Sequence, residues 1–290
     1  MTDLTPGFTG SPLDRLDHER DDPAALAAHI ANPRARLLLL DGLDPIVGAD
    51  GTLAWGSLAD APADAELALL GLIEGTPRFA ALTMPPADRG AYPIFALLAA
   101  LPPGEAATYA AARSLIGWHA RNHFCARCGT PTAVMRAGWA RRCTVCDEEH
   151  FPRTDPVVIM LAEHGGRVLV GRQPRFPAGR YSALAGFLEV GESLEEAVAR
   201  ELHEEAGVRA TAVRYVASQP WPFPSSLMIA CIAEVASDEI VLDTKELDHA
   251  MWVTREDVAA SLAGDPAAPF IAPPAYAIAH TLFVAWLAGR

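Results

Sequence analysis

No apolar run in the chain approaches the roughly 20 residues that a bilayer-spanning helix needs. The first residues, Met-Thr-Asp-Leu-Thr-Pro, lack the basic stretch followed by an apolar one that marks a secretory leader. The last four, Leu-Ala-Gly-Arg, are not a peroxisomal address of the Ser-Lys-Leu type. These absences set the expectation of a soluble, cytoplasmic protein without membrane contact. Positive charge is also scarce: 23 Lys and Arg stand against 36 Asp and Glu, a formal net charge of −13. Long, non-specific contact with nucleic acid depends on basic side chains neutralising phosphates, so that class is disfavoured. A small phosphorylated ligand is not excluded, because a bound cation or local basic cluster can reverse the field inside one pocket. The bland reading of the acidic balance is solubility.

What is present is enough for two ordinary domains, or one with an extension: 290 residues, 51% of them hydrophobic. Residues 1–118 are rich in Ala, Leu and Pro, show no internal repeat, and carry no metal or phosphate signature. In that stretch "ARLLLLDGLDPIVGADGTLAW" alternates apolar runs with Asp-Gly turns and predicts a small sheet. "AYPIFALLAALPPGEAATYAAARSLIGWHARNHF" reads as two helical pieces broken at Pro102-Pro103. A packing or dimerisation role is the default for this N-terminal α+β domain. Residues 119–150 form a second part and 151–290 a third. In the third, "PVVIMLAEHGGRVLVGRQ" predicts a hairpin turning at Gly165-Gly166. A helix over about 194–206, strands near 213–218 and 226–235, and two C-terminal helical segments complete an α/β layered domain.

Of only five cysteines, four fall in two tight pairs, Cys125-x2-Cys128 and Cys143-x2-Cys146, with fourteen residues between the pairs. Two thiolates from each turn can complete a tetrahedron around Zn²⁺, and with four protein ligands no position stays open for water. The expected metal is therefore structural. Two disulfides, free thiols or a redox pair are the competing readings, and a reducing compartment counts against them. Cys231, within the apolar "SLMIACIAEV", reads as an inert core residue on a strand.

The segment "RELHEEAG", 200–207, crowds Glu201, Glu204 and Glu205 into one and a half helical turns. Ser193-Leu-Glu-Glu196 has the form of a capping box, and Gly207 is placed to end the helix. Leu194, Ala197, Val198 and Leu202 mark its apolar stripe. At about 100° per residue, Glu201 and Glu205 fall within that stripe and Glu204 at its edge, whereas Glu195, Glu196, Arg200 and His203 lie opposite. A solvated charge run would put its carboxylates away from the stripe. Inward ionised carboxylates are costly unless paired or bound to metal, and hard oxygen ligands favour Mg²⁺ or Mn²⁺.

"GFLEVGESLEEAVARELHEEAGV", 186–208, resembles the Nudix box, with Gly186, Glu192, Arg200-Glu201-Leu202, Glu204-Glu205 and Gly207-Val208 at its defining positions. The resemblance implies a loop–helix–loop in an α/β/α sandwich and metal-dependent hydrolysis of a nucleoside diphosphate linked to another group. It implies Glu201, Glu205 and the Ala185 carbonyl as ligands of Mg²⁺ or Mn²⁺, and Glu204 as a ligand or water-positioning base. Arg200 would orient the carboxylates, and Glu192 would pair with Arg200 or support a metal-bound water. The general base moves among glutamates across the superfamily and stays unassigned.

Downstream, "SQPWPFPSS", 218–226, alternates prolines with Trp221 and Phe223, which excludes a regular helix and stiffens the chain. Its rings could stack on a base, or the segment could be a proline-stiffened core loop. Placed after a Nudix box and a four-cysteine module, it resembles the signature of the NADH pyrophosphatase (NudC-type) family. That resemblance implies cleavage of NADH or NAD⁺ to AMP and nicotinamide mononucleotide, and removal of an NAD cap from the 5′ end of RNA by the same chemistry. It implies Phe187 stacking on one ring of the substrate, and Phe151 offering a second face across a homodimer. Gln219, Pro220, Trp221, Pro222, Phe223, Pro224, Ser225 and Ser226 would line the pocket, Glu246 would add to the metal site, and Ala279 would give a backbone contact. For Glu246 an exposed loop carboxylate is the plain alternative. The rival functions are a Nudix hydrolase of ADP-ribose or a dinucleoside polyphosphate, and a nucleotide sensor without catalysis; loss of a box glutamate would favour the sensor, and none is missing.

Overall fold

The computed structural model describes residues 5–83, 92–102 and 104–290, so the expected break at Pro102-Pro103 lies partly outside the described residues, as do residues 1–4. The chain forms two compact units. The N-terminal unit holds Phe8–Thr154 together with Trp221–Ser225. The C-terminal unit holds Asp155–Pro220, Ser226–Arg290 and the segment ending at Gly7.

The N-terminal unit begins with helix α1 (Pro23–Ala31), capped by the Asp22 side chain with Pro23 in its first turn. The Asp-Gly-punctuated stretch forms β1 (Arg36–Leu38), β2 (Leu40–Asp41), β3 (Asp44–Pro45) and β4 (Trp55–Gly56). A hairpin of β5 (Glu66–Ile73) and β6 (Thr76–Leu82) follows. The four-stranded sheet has the order β4-β1-β6-β5, with β1 and β6 parallel. Helices α2 (Tyr92–Ala100) and α3 (Glu105–His119) are the two expected helical pieces. Leu70, Ala80, Tyr109, Leu115 and Ile116 belong to the core they share with the sheet. A three-stranded sheet of β7 (Thr132–Met135), β8 (Ala140–Cys143) and β9 (Glu149–His150) carries the cysteine turns. Behind it, Arg141 donates to Thr132 and to Nδ1 of the buried His119, whose Nε2 lies 2.8 Å from the Gly138 carbonyl.

The C-terminal unit is built on β10 (Asp155–His164) and β11 (Arg167–Arg172), the expected hairpin, with positive φ at Gly165 and Gly166. Then come β12 (Leu184–Phe187), α4 (Leu194–Ala206), β13 (Ala210–Trp221), β14 (Ser226–Val235), β15 (His249–Val253), α5 (Arg255–Leu262) and α6 (Ile278–Leu287). The sheet runs β13-β14-β10-β11-β15. β10 is its axis: one edge pairs in parallel with β14 from Asp155↔Ser226 to Glu163↔Glu234, and the other pairs antiparallel with β12 and then β11.

The two faces of β10 separate by the period of two that a strand imposes. Val158, Met160 and Ala162 pack with α4 residues Ala197, Val198, Leu202 and Ala206. Ile159 and Leu161 pack with α6 residues Ile278, Leu282, Phe283 and Trp286. The result is the expected α/β/α sandwich. Cys231 is buried on β14 in the α4 layer, as a core residue. Among the described residues, no helix is long and apolar enough to cross a membrane.

Candidate active site

Helix α4 starts and stops where its sequence dictates. The Ser193 side chain accepts from Glu196 N, the Glu196 carboxylate accepts from Ser193 N at 2.7 Å, and Gly207 closes the helix at φ 72°. Val198 and Leu202 are fully buried and contribute roughly 2 kcal/mol each. Those anchors turn the same stripe of the helix inward with two carboxylates on it: Glu201 is 8% exposed and Glu205 3%. Glu204, at the edge, keeps 59% of its side chain in solvent.

The two buried carboxylates are treated differently by their surroundings. Glu201 is raised by burial, but Arg200 opposes the shift by donating to its Oε1 at 2.8 Å. Glu205 is pushed up to about 8, first by burial and then by the charges of Glu201, Glu246, Asp243 and Glu204. Its Oε2 is buried without a hydrogen-bond partner. Ionised and uncompensated, such a group would cost several kcal/mol, comparable to what the helix gains from its anchors, and without a partner it takes up a proton instead. A divalent cation would remove that cost. The donor set, buried carboxylates with an orphaned oxygen, therefore fits a hard cation held by Glu201 and Glu205.

Arg200 uses all five of its N–H donors. Nε and one Nη2 hydrogen grip Glu192 at 2.6 and 2.9 Å, Nη1 serves Glu201 and Glu204 (3.0 Å), and Nη2 also reaches the Phe187 carbonyl at 2.9 Å. Glu192 is held down at about 2, chiefly by this bidentate contact. The arginine thus ties the loop 187–192 to the helix. Ala185 and Gly186 arrive on β12, paired with Ile159 and Val158. A Cβ on Gly186 would sit 1.9 Å from the Glu201 carboxyl carbon, so only glycine lets the strand pass so close.

Two further carboxylates come from the loop before β15. Val241 N donates to the Ala206 carbonyl and Asp243 N to that of Glu205, which docks this loop on the last turn of α4. Glu246 N in turn donates to Asp243 O at 3.2 Å. Glu246 is exposed, yet its charge raises both Glu201 and Glu205. Asp243 acts on Glu205 in the same way and was not singled out from sequence; its signal was the Asp243…Glu246 spacing in "DTKELD".

The residues expected to line the substrate pocket divide between the units. Phe187 is 61% exposed in the C-terminal unit, and Phe151 is 54% exposed in the N-terminal one. Gln219 is fully buried: its amide donates to the carbonyls of Gly7 and Tyr276 at 2.8 Å and accepts from Ile278 N at 2.9 Å. Pro220 is exposed, Ser226 is buried at the start of β14, and Ala279 is buried in the first turn of α6. Trp221, Pro222, Phe223, Pro224 and Ser225 belong to the N-terminal unit. There Trp221 stacks on Phe95 at 5.5 Å and 18°, while the Arg113 guanidinium lies 4.7 Å from the centre of Phe223.

The cysteine turns form a separate centre. All four sulfurs of Cys125, Cys128, Cys143 and Cys146 lie within 4.8 Å of one another, and none is in a disulfide. The sulfurs of Cys125 and Cys143 accept backbone N–H groups from Arg127, Val145 and Cys146, a polarity that suits thiolates. Hydrogen bonding with Thr130, 3.3 Å from the sulfur, chiefly pulls Cys128 down to about 6. This donor set fits a four-coordinate soft metal.

Comparison with known proteins gives three family models end to end. The NADH pyrophosphatase-like rudimentary NUDIX domain matches residues 34–118, the NADH pyrophosphatase zinc ribbon domain 120–151, and the NUDIX domain 152–272. The chain is 37% identical over 292 residues to the NAD-capped RNA hydrolase NudC of Mycobacterium bovis, covering 95% of this chain and 92% of that one. It is 46% identical over 193 residues to the human NAD-capped RNA hydrolase NUDT12, covering 63% of this chain and 42% of the relative. It is 41% identical over 194 residues to the human mitochondrial NAD(P)H pyrophosphatase NUDT13, covering 63% and 55%. The match thus spans less than half the length of the NUDT12 relative and most of the bacterial one.

Proposed function

Because the chain belongs to the Nudix hydrolases of the NADH pyrophosphatase family, we propose that it hydrolyses the pyrophosphate bond of NADH or NAD⁺, giving AMP and nicotinamide mononucleotide. The observation that carries this reading is the buried Glu201–Glu205 pair with the orphaned Glu205 oxygen. The names of the bacterial and human relatives support an NAD cap on an RNA 5′ end as a second form of the same substrate, reached by a contact limited to the cap.

Glu201 and Glu205, with the Ala185 carbonyl and Glu246, would hold Mg²⁺ or Mn²⁺. When bound, that ion supplies charge neutralisation at the pyrophosphate and acidifies the attacking water. Arg200 fixes the Glu201 carboxylate and, through Phe187 O and Glu192, the loop leading into the helix. Glu204, at the edge of the helix and paired with Arg200, would serve as a further ligand or orient water. Burial first, and then the charges of Glu201, Glu246, Asp243 and Glu204, raise Glu205 and favour its protonated form. In-line phosphoryl chemistry depends mostly on positioning and charge, which these residues provide. Phe187 and Phe151 offer exposed rings for the two bases, the second across a homodimer.

The four cysteines would hold Zn²⁺ as a structural metal, a role that suits the reducing cytoplasm. In this reading residues 1–118 form the N-terminal structural or dimerisation domain, 119–150 the zinc ribbon and 151–290 the hydrolase domain. The test is product analysis with NADH, NAD⁺, ADP-ribose, a dinucleoside polyphosphate and NAD-capped RNA in Mg²⁺ or Mn²⁺. The expected products from NADH are AMP and reduced nicotinamide mononucleotide. Release of nicotinamide, or turnover of ADP-ribose alone, overturns the specificity; binding without turnover of any of them favours a sensor.

A further inference from the structure

The prolines at 220, 222 and 224 have no backbone N–H: Pro220 lies near the end of β13, and Pro222 and Pro224 leave the segment joining β13 to β14 short of two donors. Its shape has to be held by groups outside the ladder, and the N-terminal unit supplies them. Trp221 and Phe223 meet edge to face at 5.3 Å, and Phe8 packs edge-on against both. Phe95 stacks on Trp221 and meets Phe223 at 4.9 Å. The Ser225 hydroxyl donates to the Arg153 carbonyl at 2.9 Å.

Within this aromatic cluster lies a cation. Arg113, on α3, has only 5% of its side chain exposed. Its Nε donates to the Pro222 carbonyl at 3.0 Å, and its guanidinium lies against the Phe223 ring. Nη1 donates to the Leu43 carbonyl at 2.9 Å and to the Tyr109 hydroxyl at 3.1 Å, with Asp44 3.6 Å away. Burying a guanidinium costs several kcal/mol before its contacts are counted. A methionine would fill such a space without that cost. What only the arginine provides is a fork that grips a proline carbonyl and covers an aromatic ring together.

We propose that Arg113 is a positioning residue for substrate recognition, clamping the Trp221–Ser225 tip in the form that selects the dinucleotide. It follows that Trp221 and Phe223 shape the segment by packing against Phe95 and Arg113, and that the rudimentary N-terminal domain acts as its mould. The inference rests on the proposed NAD(H) hydrolysis, because it assigns that segment to substrate selection. The carboxylates of α4 carry the bond cleavage and do not depend on Arg113 for their own contacts.

The test is steady-state kinetics of the full chain with NADH, together with melting temperatures, for Arg113→Met, Arg113→Lys and Tyr109→Phe. Arg113→Met is expected to raise KM for NADH about ten-fold with kcat within about two-fold, the pattern of lost uniform binding. Arg113→Lys keeps the charge but not the fork and is expected to lie between, at about three-fold. Tyr109→Phe disturbs the same buried network without touching Pro222; it is expected to lower the melting temperature and leave KM unchanged. An Arg113→Met protein that melts lower but keeps the wild-type KM overturns the proposal, as does one in which kcat alone falls. If Arg113→Met does not fold, a wild-type KM for Arg113→Lys overturns it. A wild-type protein that leaves NADH intact defeats the functional reading itself, and the same KM comparison on the nucleotide it does cleave then decides the role of Arg113.

Discussion

The Glu201 carboxylate occupies the space where a side chain on Gly186 would begin, 1.9 Å from the ideal Cβ position. The clash would fall on the far end of a flexible side chain, which can swing away, and not on backbone. Gly186→Ala is therefore expected to fold with a melting temperature within a few degrees of wild type, a cost of about 1 kcal/mol. Its activity is expected to fall about a hundred-fold, because Glu201 can no longer lie against β12. Circular dichroism and NADH turnover on one preparation check this; near-normal turnover would mean that the position of Glu201 does not matter.

Arg200 and Glu192 form a second relationship, a bidentate ion pair, on which the proposed chemistry would depend. Lysine keeps the charge but cannot supply five donors in a fork. Arg200→Lys is expected to lower kcat/KM about 10–100-fold, with metal affinity reduced over a similar range, as for other residues that orient metal ligands. Measuring activity against Mn²⁺ concentration separates the two effects. An unchanged half-saturating Mn²⁺ concentration would show that Arg200 orients nothing the cation uses.

His119 gives the N-terminal unit a pH dependence. Its Nε2 donates to the Gly138 carbonyl, and Nδ1 accepts from Arg141, so a second proton would face a guanidinium. Burial chiefly, with Arg141 and His123 adding to it against the Gly138 bond, lowers His119 to about 4. Below the unfolded value of about 6.5 the unfolded chain binds a proton that the folded one refuses. Stability attributable to His119 is therefore complete above about pH 6.5 and declines as pH falls towards 4. His119→Gln is expected to flatten that part of the profile, seen as a smaller loss of melting temperature between pH 6.5 and 5. A profile with wild-type slope would place the acid sensitivity elsewhere.

Cys128→Ser removes one of four clustered sulfurs. Expected outcomes are loss of bound zinc by elemental analysis and a lowered melting temperature, with NADH turnover declining only as the fold is lost. Full stability in a zinc-free protein would contradict the structural assignment.

How far the sequence could be read follows from the range over which each feature is determined. The inward turn of Glu201 and Glu205, the Ser193 cap, the Gly207 stop and the Gly165-Gly166 hairpin depend on neighbours within a few positions, and each was legible. The β5–β6 hairpin was not marked, although Glu74-Gly75 lies between two apolar runs; each strand has consecutive buried residues, so the polar alternation that flags a half-exposed strand is weak. Stiffness of the 218–226 segment could be read from its prolines. Its partners could not: Phe8, Phe95 and Arg113 lie more than a hundred positions away and meet it only through the fold. Gln219 is a similar case, with an amide spent on Gly7, Tyr276 and Ile278. For Asp243 the spacing to Glu246 was the one cue, and its link to Glu205 runs through a backbone hydrogen bond that only the fold reveals.

Calorimetric titration of Mn²⁺ into the metal-depleted protein and its Glu205→Gln variant tests the central claim most directly. Wild type is expected to bind with release of protons at pH 7, since Glu205, raised to about 8, would lose its proton to solvent when its carboxylate binds the ion. The variant is expected to bind at least about 100-fold more weakly, without that release and with its fold intact. Equal affinity and equal proton release in both proteins would contradict the account.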